Sequence, residues 1–385
     1  MSQEIDKVLQ RAVDSGDVPG VVAAAADRDG VFYEGAFGRR NLNEPAPMTY
    51  DTLFRISSLT KAVTCTAAMQ LIERGLIQID QPVASIIPEF AEIQVLEGFD
   101  GDTPRLRPPK TQVTLSHLAT HTAGFAYELW NDKVLKYLQV TGHPGIVTGS
   151  KKVLFTPLAF DPGTDWAYGI GIDWLSQVVE AVSGQTIDKY LEDNIFGPLG
   201  MTRTTFAPSQ AERASLVTVH ARGADGTITP IDFDWVPNPE YILAGHGLYS
   251  TADDYMKFLQ MFLHDGRFNG HEILEPASVR QMTENRIGDL CMQVMKTADP
   301  RQSCDAEFFP GMKKKHSFGF QINTEQWPGM RSAGSLAWAG LYNVFYWWDP
   351  TNGVAATILM QFVPFQDPRA MELYTNFEKA VYASH

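Results

Sequence analysis

The chain has 385 residues, of which 44% are hydrophobic and 20% charged, as in a soluble globular protein with a sizeable core. Its 45 acidic and 31 basic side chains give a formal net charge of −14, which argues against nucleic acid or an anionic membrane surface as a partner. The N-terminus lacks an export signal, three cysteines are too few for a disulfide framework, and no apolar run reaches the roughly eighteen residues of a membrane span, so we expect a cytoplasmic protein.

The first predicted elements are a helix and a β-hairpin. Apolar residues recur at helical spacing from Ile5 to Val13, and the polar, glycine-containing segment 15–17 ends the pattern. Two short apolar runs, 21–26 and 31–37, flank the turn sequence Asp-Arg-Asp-Gly at 27–30. This arrangement predicts two antiparallel strands ahead of the next helix.

The second predicted helix begins with a serine and a lysine three residues apart. From Ala62 onward most residues are good helix formers, and Gly75 closes the run. Ser58 and Lys61 stand at the first turn of this helix, where their separation places both side chains on one face. A serine hydroxyl is a poor nucleophile until a base removes its proton, and a lysine amine does so only where burial or a nearby cation lowers its pKa. The spacing arises about once by chance in a chain of this length, so it gains weight only from the motifs that follow.

The middle of the chain is predicted to be mainly helical after a polar, proline-rich surface excursion that ends near Lys110. His117 and His121 are one helical turn apart, which is a metal-ligand spacing, but no glutamate or third ligand accompanies them. We interpret them as structural histidines. Tyr168 stands just before Gly169 in a glycine-containing loop that leads into a helix over 172–182, where it is either an acid–base group or a packed aromatic residue.

The C-terminal part is predicted to contain one helix, an irregular excursion, four strands and a closing helix. Ser250 or Thr251 would cap the helix that includes Phe262. The excursion over 286–315 carries three consecutive lysines, and we interpret it as a solvated loop. The four strands and the closing helix are expected at 318–322, 335–340, 343–350, 354–360 and 370–382.

These elements predict an α+β architecture in a single catalytic unit of 385 residues. One antiparallel sheet would be built from both ends of the chain, residues 1–75 and 316–385, with helices flanking it. A mainly helical insert with irregular loops would occupy residues 76–315.

Three motifs occur in the order and approximate spacing of the class C β-lactamase and penicillin-binding-protein superfamily. They are Ser58-Leu59-Thr60-Lys61, the glycine-associated Tyr168, and Trp338-Ala339-Gly340, and they are supported by the segments 115–124 and 247–254. Within that superfamily the sequence most resembles family VIII carboxylesterases. The resemblance implies a β-lactamase-like fold, Ser58 as nucleophile, Lys61 as the residue that helps to deprotonate it, and Tyr168 as the acid–base partner. Which of Lys61 and Tyr168 takes the serine proton stays open. The resemblance also implies an oxyanion hole formed by the backbone N–H groups of Ser58 and Leu341.

Two departures from the β-lactamase pattern bear on the substrate. Trp338 stands where β-lactamases have a cation that recognises a substrate carboxylate, and Ile170 stands where they usually have asparagine. A charged substrate would thereby lose on the order of 1.5–3 kcal/mol of charge-assisted hydrogen bonding, whereas a neutral ester would not. Trp338, Gly340 and Ile170 are therefore predicted to line an acyl or alcohol pocket, and further candidates for its walls are Phe125, Tyr127, Trp130 and Tyr249.

The predicted activity is hydrolysis of small to medium neutral esters, such as short-chain p-nitrophenyl esters, through an acyl-enzyme on Ser58. No metal or organic cofactor is required, and the expected partner is a small-molecule ester. The Gly-x-Ser-x-Gly motif of α/β-hydrolases is absent from the sequence, which disfavours that fold. A β-lactamase or D-aminopeptidase acting on amides, an acyltransferase, and an inactive penicillin-recognition module remain alternatives.

Overall fold

A computed structural model describes residues 2–385, and its centre is a seven-stranded antiparallel sheet. The strand order is β11-β12-β13-β14-β15-β1-β2, so the first strand of the chain pairs with β15 and the second strand forms one edge of the sheet. The strands of the chain are β1 (Gly20–Asp27), β2 (Gly30–Gly38), β3 (Phe54–Arg55), β4 (Val95–Asp100), β5 (Thr103–Arg107), β6 (His220–Arg222), β7 (Ile228–Pro230), β8 (Tyr249–Ser250), β9 (Arg267–Phe268), β10 (His271–Glu272), β11 (Lys314–His316), β12 (Gln321–Asn323), β13 (Leu336–Gly340), β14 (Val344–Asp349), β15 (Val354–Leu359) and β16 (Phe362–Val363).

The sheet joins both ends of the chain, as the sequence predicts. Val22 pairs with Leu359 and Ala26 with Ala355 across β1 and β15, and Gly30, with a φ of 138°, forms the turn into β2. Strands β13, β14 and β15 are buried along their whole length, because helices cover both faces of the sheet.

Helices pack on both sides of this sheet and fill the middle of the chain. The first and last helices pack against each other, and the helix that starts at Ala252 packs on β1 and β15. The helices are α1 (Ser2–Asp14), α2 (Thr60–Glu73), α3 (Leu115–Ala119), α4 (Asp132–Thr141), α5 (Gly171–Ser183), α6 (Ile187–Leu191), α7 (Gly197–Leu199), α8 (Gln210–Arg213), α9 (Ala252–Leu263), α10 (Pro276–Thr283) and α11 (Pro368–Ser384).

Local sequence chemistry explains where the longer helices begin and end. The Thr251 side chain accepts a hydrogen bond from Asp254 N at 3.2 Å, so Thr251 and not Ser250 caps α9. Gly184, with a φ of 72°, ends α5 in the left-handed conformation. Helix α2 is buried on nearly every side, and it packs against α5 in the middle of the molecule.

Two predicted loops are partly regular. The polar excursion before Lys110 contains the hairpin of β4 and β5. The lysine run ends in an edge strand, and the prediction of a solvated loop is wrong for Lys314, which is buried with its Nζ donating to Met312 O at 2.8 Å.

The division into subdomains 1–75 with 316–385 and 76–315 stays a prediction. No helix among residues 2–385 is long and apolar enough to cross a membrane.

Candidate active site

A tight turn places Ser58 in front of α2. Ser57 has a φ of 47°, which is unusual for a residue other than glycine, and it starts a 3₁₀ turn over Ser57–Leu59 that runs into α2. Thr60 Oγ1 donates to Ser57 O at 2.6 Å and accepts from Leu248 N at 3.2 Å, so the turn is fixed to the segment before β8. Backbone strain held in place by neighbouring structure is common where a side chain must be aimed.

Lys61 is almost fully buried and contacts Ser58 directly. Its Nζ donates to Ser58 Oγ at 3.1 Å, to Tyr127 OH at 3.1 Å and to Gly245 O at 2.7 Å. Contacts with three oxygen atoms from different parts of the chain fix the position of Nζ. The contact predicted from the spacing of Ser58 and Lys61 is confirmed, whereas the direct contact with Tyr127 was not predicted.

Tyr168 lies beside Lys61 with a different hydrogen-bond partner. Lys61 Nζ is 4.8 Å from the centre of the Tyr168 ring, and Trp338 Nε1 donates to Tyr168 OH at 3.2 Å. Within residues 2–385 the Tyr168 hydroxyl makes no hydrogen bond with Ser58 or Lys61. Gly169 permits this arrangement, because a Cβ there would lie 2.4 Å from Phe125 O.

A buried carboxylate supports the backbone behind Lys61. Asp173 Oδ1 accepts from Gly245 N at 3.0 Å, and the carbonyl of Gly245 in turn accepts from Lys61. Burial raises the pKa of Asp173 to about 6, although the nearby charge of Lys61 opposes the shift. Asp173 therefore holds the peptide that positions the lysine.

Ser58 opens into a largely apolar cavity of about 230 Å³. This is smaller than the roughly 300–1,000 Å³ of pockets that enclose a drug-sized ligand, so a larger substrate would protrude from it. No lysine or arginine is found in its lining, considering the described residues 2–385. The lining consists of Ser57, Ser58, Tyr127, Glu128, Leu129, Trp130, Leu135, Ile146, Val147, Tyr168, Trp235, His246, Met295, Ala298, Asp299, Gln302, Phe308, Trp338, Ala339, Gly340, Leu341 and Phe365.

The end of β13 packs directly on the turn that carries Ser58. A Cβ on Gly340 would lie 2.7 Å from Ile56 O and 2.9 Å from Ser57 Cβ, so only glycine allows the strand this close. Leu341 follows at once and lines the same cavity as Ser58. The two backbone segments predicted to supply oxyanion donors are thus adjacent, and the role itself stays a prediction.

Six of the predicted pocket and oxyanion residues lie in the lining, and three lie elsewhere. Tyr127, Trp130, Trp338, Gly340, Leu341 and Ser58 are in the lining.

Phe125, Ile170 and Tyr249 do not line this cavity, so their prediction as pocket residues is wrong. The Phe125 ring packs edge-on against Phe90, Ile170 is buried where α5 begins, and Tyr249 OH donates to Asp234. Each of these side chains is held in the core by contacts that its local sequence does not reveal.

Several lining residues were not found from the sequence. Phe308 lies in the irregular excursion and Phe365 follows β16, so neither belongs to a motif. Trp235 also has no local signal, whereas the glycines on both sides of His246 could have marked it.

His117, one of the two histidines interpreted as structural, accepts a hydrogen bond from Thr114 N at 3.2 Å and so helps to cap α3.

His121 belongs to a buried aromatic cluster beside the cavity. Its ring centre is 4.8 Å from that of Tyr168 and 5.2 Å from that of His316. Burial lowers the pKa of His121 well below its usual value and that of His316 to about 4, so both rings are neutral at neutral pH.

Comparison with known proteins identifies relatives along almost the whole chain. The family model described as Beta-lactamase matches residues 5–380. Monacolin J acid methylbutanoyltransferase of Aspergillus terreus is 32% identical over 403 residues, covering 99% of this chain and 95% of the relative, and lovastatin esterase of Penicillium rubens is 31% identical over 399 residues, covering 99% and 98%. A mutant of simvastatin synthase from Aspergillus terreus has a similar structure, with a TM-score of 0.86 and 30% identity over 99% of this chain and 96% of the other.

Proposed function

The chain belongs to the beta-lactamase family, and from that premise we propose that it is a serine carboxylesterase that hydrolyses neutral esters through an acyl-enzyme on Ser58. The observation that carries the proposal is the 3.1 Å contact between the buried Lys61 Nζ and Oγ of Ser58, which lines a cavity without lysine or arginine in its described lining. The names of the two relatives, an esterase and an acyltransferase, support chemistry on acyl groups.

The arrangement suits a two-step reaction. Ser58 Oγ attacks the ester carbonyl and its proton passes to Lys61 acting as a neutral amine or to Tyr168 acting as a phenolate, while the N–H groups of Ser58 and Leu341 stabilise the negative charge on the carbonyl oxygen. The tetrahedral intermediate then expels the alcohol, which receives the proton. Water attacks the acyl-enzyme in the second step and gives a proton to the same group. That group passes the proton to Ser58 Oγ as the bond between Oγ and the acyl carbon breaks, which releases the carboxylic acid and restores the serine hydroxyl.

The polarity of the cavity supports neutral esters as the substrate class. Trp338 donates its N–H to Tyr168, and the lining carries carboxylates at Glu128 and Asp299. Asp299 is paired with Arg301 at 3.0 Å, whereas Glu128 uses Oε1 to accept from Ile146 N at 3.1 Å. A carboxylate on the substrate would meet no compensating cation in this lining, so a β-lactam or an acidic ester is disfavoured.

Burst kinetics with a short-chain p-nitrophenyl ester test the proposal. We expect a burst of nitrophenol equal to the enzyme concentration if deacylation is slow, and a phosphonate probe should label the peptide that contains Ser58. Ser58→Ala should lose both signals, whereas Ser85→Ala, which changes an exposed serine, should keep them. Full activity of Ser58→Ala would exclude the proposed nucleophile.

Acyl transfer is a second candidate, favoured by the relative named as a methylbutanoyltransferase. An alcohol would then take the place of water in the second step. Adding an alcohol during ester turnover distinguishes the two activities. Preferential formation of a new ester at low alcohol concentration would favour a transferase, and release of free acid alone would favour a hydrolase.

A further inference from the structure

Five aromatic side chains form a closed circle in the lining of the cavity beside Ser58. Adjacent ring centres lie 4.9–6.4 Å apart, and the planes of adjacent rings meet at 46–71°, so the rings stand as separate walls and are not stacked. We call this circle the aromatic cage, and its members, in order around it, are Trp130, Tyr168, Trp338, Phe308 and Phe365.

The cage has the dimensions of a site for a cation. Four of its members are 4–7% exposed and Trp130 is half-buried, and because all five line the cavity, part of each is available to a ligand. A cation in the middle of a circle with sides of this length would lie within the roughly 6 Å of each ring centre over which aromatic rings attract cations. The Trp130 ring is fixed in the circle, since its Nε1 donates to Ser303 Oγ at 3.0 Å.

The cavity lining adds negative charge beside the cage. It contains the carboxylates of Glu128 and Asp299 and, within residues 2–385, no lysine or arginine. Burial lowers the pKa of His246, which also lines the cavity, to about 3, so its ring is neutral at neutral pH. Asp299 is paired with Arg301, whereas Glu128 accepts a backbone hydrogen bond and makes no ion pair in the described chain. Glu128 starts the short turn that ends at Trp130, so an uncompensated carboxylate lies two residues from one wall of the cage.

Lys61 determines which side of the cage suits a cation. Its Nζ lies 4.8 Å from the centre of the Tyr168 ring, and Lys61 itself is outside the cavity lining. A second cation close to that ring would be repelled whenever Lys61 is charged. The cation therefore fits best towards Trp130 and Phe365, because an indole ring attracts cations most strongly and Glu128 is close to Trp130 in the chain.

An organic cation without N–H groups matches this site better than other ligand groups do. A quaternary ammonium ion has no N–H that burial among aromatic rings would leave unpaired, whereas a primary ammonium group has three. A carboxylate would be repelled by Glu128 and would find no cation in the described lining. An apolar group of the same shape would pack against the rings equally well, but neither the carboxylates nor the ring faces would attract it.

We propose that the aromatic cage binds a quaternary ammonium group carried by the substrate, so that the preferred substrates are esters with a trimethylammonium substituent. The inference rests on the proposed esterase function, and it extends the substrate class from neutral esters to esters with one cationic substituent. The ester group reacts at Ser58 while the cationic substituent lies in the cage. The net charge of −14 would also attract such a substrate from solution.

Pairs of esters of the same shape, one cationic and one neutral, test the cage. With the cation on the alcohol, butyrylcholine is compared with 3,3-dimethylbutyl butyrate. With the cation on the acyl group, p-nitrophenyl 4-(trimethylammonio)butyrate is compared with p-nitrophenyl 5,5-dimethylhexanoate. Each kcat/KM is divided by the rate constant for alkaline hydrolysis of the same ester, which corrects for intrinsic reactivity. We expect the cationic member of at least one pair to be favoured by about tenfold.

Two variants weaken the cage in different ways. Glu128→Gln removes the charge and keeps an acceptor oxygen, and Trp130→Leu removes an aromatic face and keeps an apolar side chain. Each should lower the ratio of kcat/KM values in the preferred pair by about threefold or more. Glu92→Gln, at an exposed position, and Trp327→Leu, outside the cavity lining, should keep the wild-type ratio. Thermal unfolding of each variant checks that it is folded, and Glu128→Gln provides the test if Trp130→Leu is not.

The outcomes separate the cage from the esterase function. Ser58-dependent turnover with a ratio of one or less in both pairs would overturn the cage alone. A preference that survives in the folded variants would also overturn it, and so would an equal loss in Glu92→Gln, which would assign the preference to the net charge of the molecule. Absence of Ser58-dependent turnover with every ester, p-nitrophenyl butyrate included, would overturn the proposed function and the cage with it.

Discussion

Lys61 is the residue on which the geometry of the site depends, and two tyrosines compete for the role of its proton-transfer partner. Tyr127 OH accepts a hydrogen bond from Lys61 Nζ, whereas Tyr168 presents the face of its ring and bonds to Trp338. The resemblance to known enzymes favours Tyr168 and the hydrogen bond favours Tyr127. Removing each hydroxyl by a Tyr→Phe substitution shows which tyrosine exchanges protons with Lys61.

Tyr168→Phe should lower kcat for a p-nitrophenyl ester by about 100-fold or more, since general acid–base catalysis contributes at least that much. Tyr127→Phe should lower kcat by about tenfold, the effect of one hydrogen bond that orients Lys61. Tyr137→Phe, which changes a tyrosine outside the cavity lining, is the control. The reverse order of the two effects would assign proton transfer to Tyr127.

The sequence predicts the contacts of this site only where they are local. Ser58 and Lys61 are three residues apart on one helical turn, so their contact follows from helix geometry. Tyr127 and Gly245 come from distant parts of the chain, and no periodicity could indicate that both would accept hydrogen bonds from Lys61. The same limit explains why Trp235 was not recognised as a cavity residue.

At the level of elements, the close packing of β13 on the Ser58 turn sets the distance between the two predicted oxyanion donors. Gly340 has room for a hydrogen atom only, because a Cβ would also lie 2.6 Å from Val344 Cγ2. A larger side chain must move the strand, the turn or both. The backbone N–H groups of Leu341 and Ser58 would then be displaced relative to each other.

Gly340→Ala should therefore lower kcat by about 100-fold or more, as does loss of one oxyanion donor in other enzymes. Gly98→Ala is the matched control, since that glycine also lies in a strand and a Cβ there meets only the flexible end of Arg105, at 3.2 Å. The measurement is kcat for a p-nitrophenyl ester, with circular dichroism to establish folding. A folded Gly340→Ala enzyme with near wild-type kcat would contradict the predicted oxyanion hole.

Elements with strong local signals were predicted well, and weakly patterned ones were not. Helices α1, α5 and α9 have apolar periodicity and clear end signals, and the sheet formed by the two chain ends follows from alternating or apolar runs joined by short turns. Strand β11 has three residues, two of them lysines, and it forms because β12 supplies the hydrogen-bond partners. Pairing with a neighbour overrides composition in such a strand.

For the molecule as a whole, buried neutral histidines make folding stability sensitive to mild acid. Burial lowers the pKa of His246 to about 3 and that of His316 to about 4, and it lowers the pKa of His121 well below the usual 6.5. The unfolded chain takes up protons near pH 6.5 that the folded protein does not bind, so stability is lost as the pH falls below that value. Asp173 acts in the opposite direction, because its raised pKa of about 6 lets the folded state bind a proton first.

Urea unfolding at about pH 7.5 and about pH 5 measures this effect. Each buried histidine should contribute up to about 2 kcal/mol to the fall in the free energy of unfolding between the two pH values. His316→Gln should show a smaller fall than the wild type, since it removes one such group and leaves Asp173 unchanged. His271 is exposed, so the free energy of unfolding of His271→Gln should fall by the same amount as that of the wild type. Equal falls for wild type and His316→Gln would mean that His316 gains a proton as readily in the folded protein as in the unfolded chain.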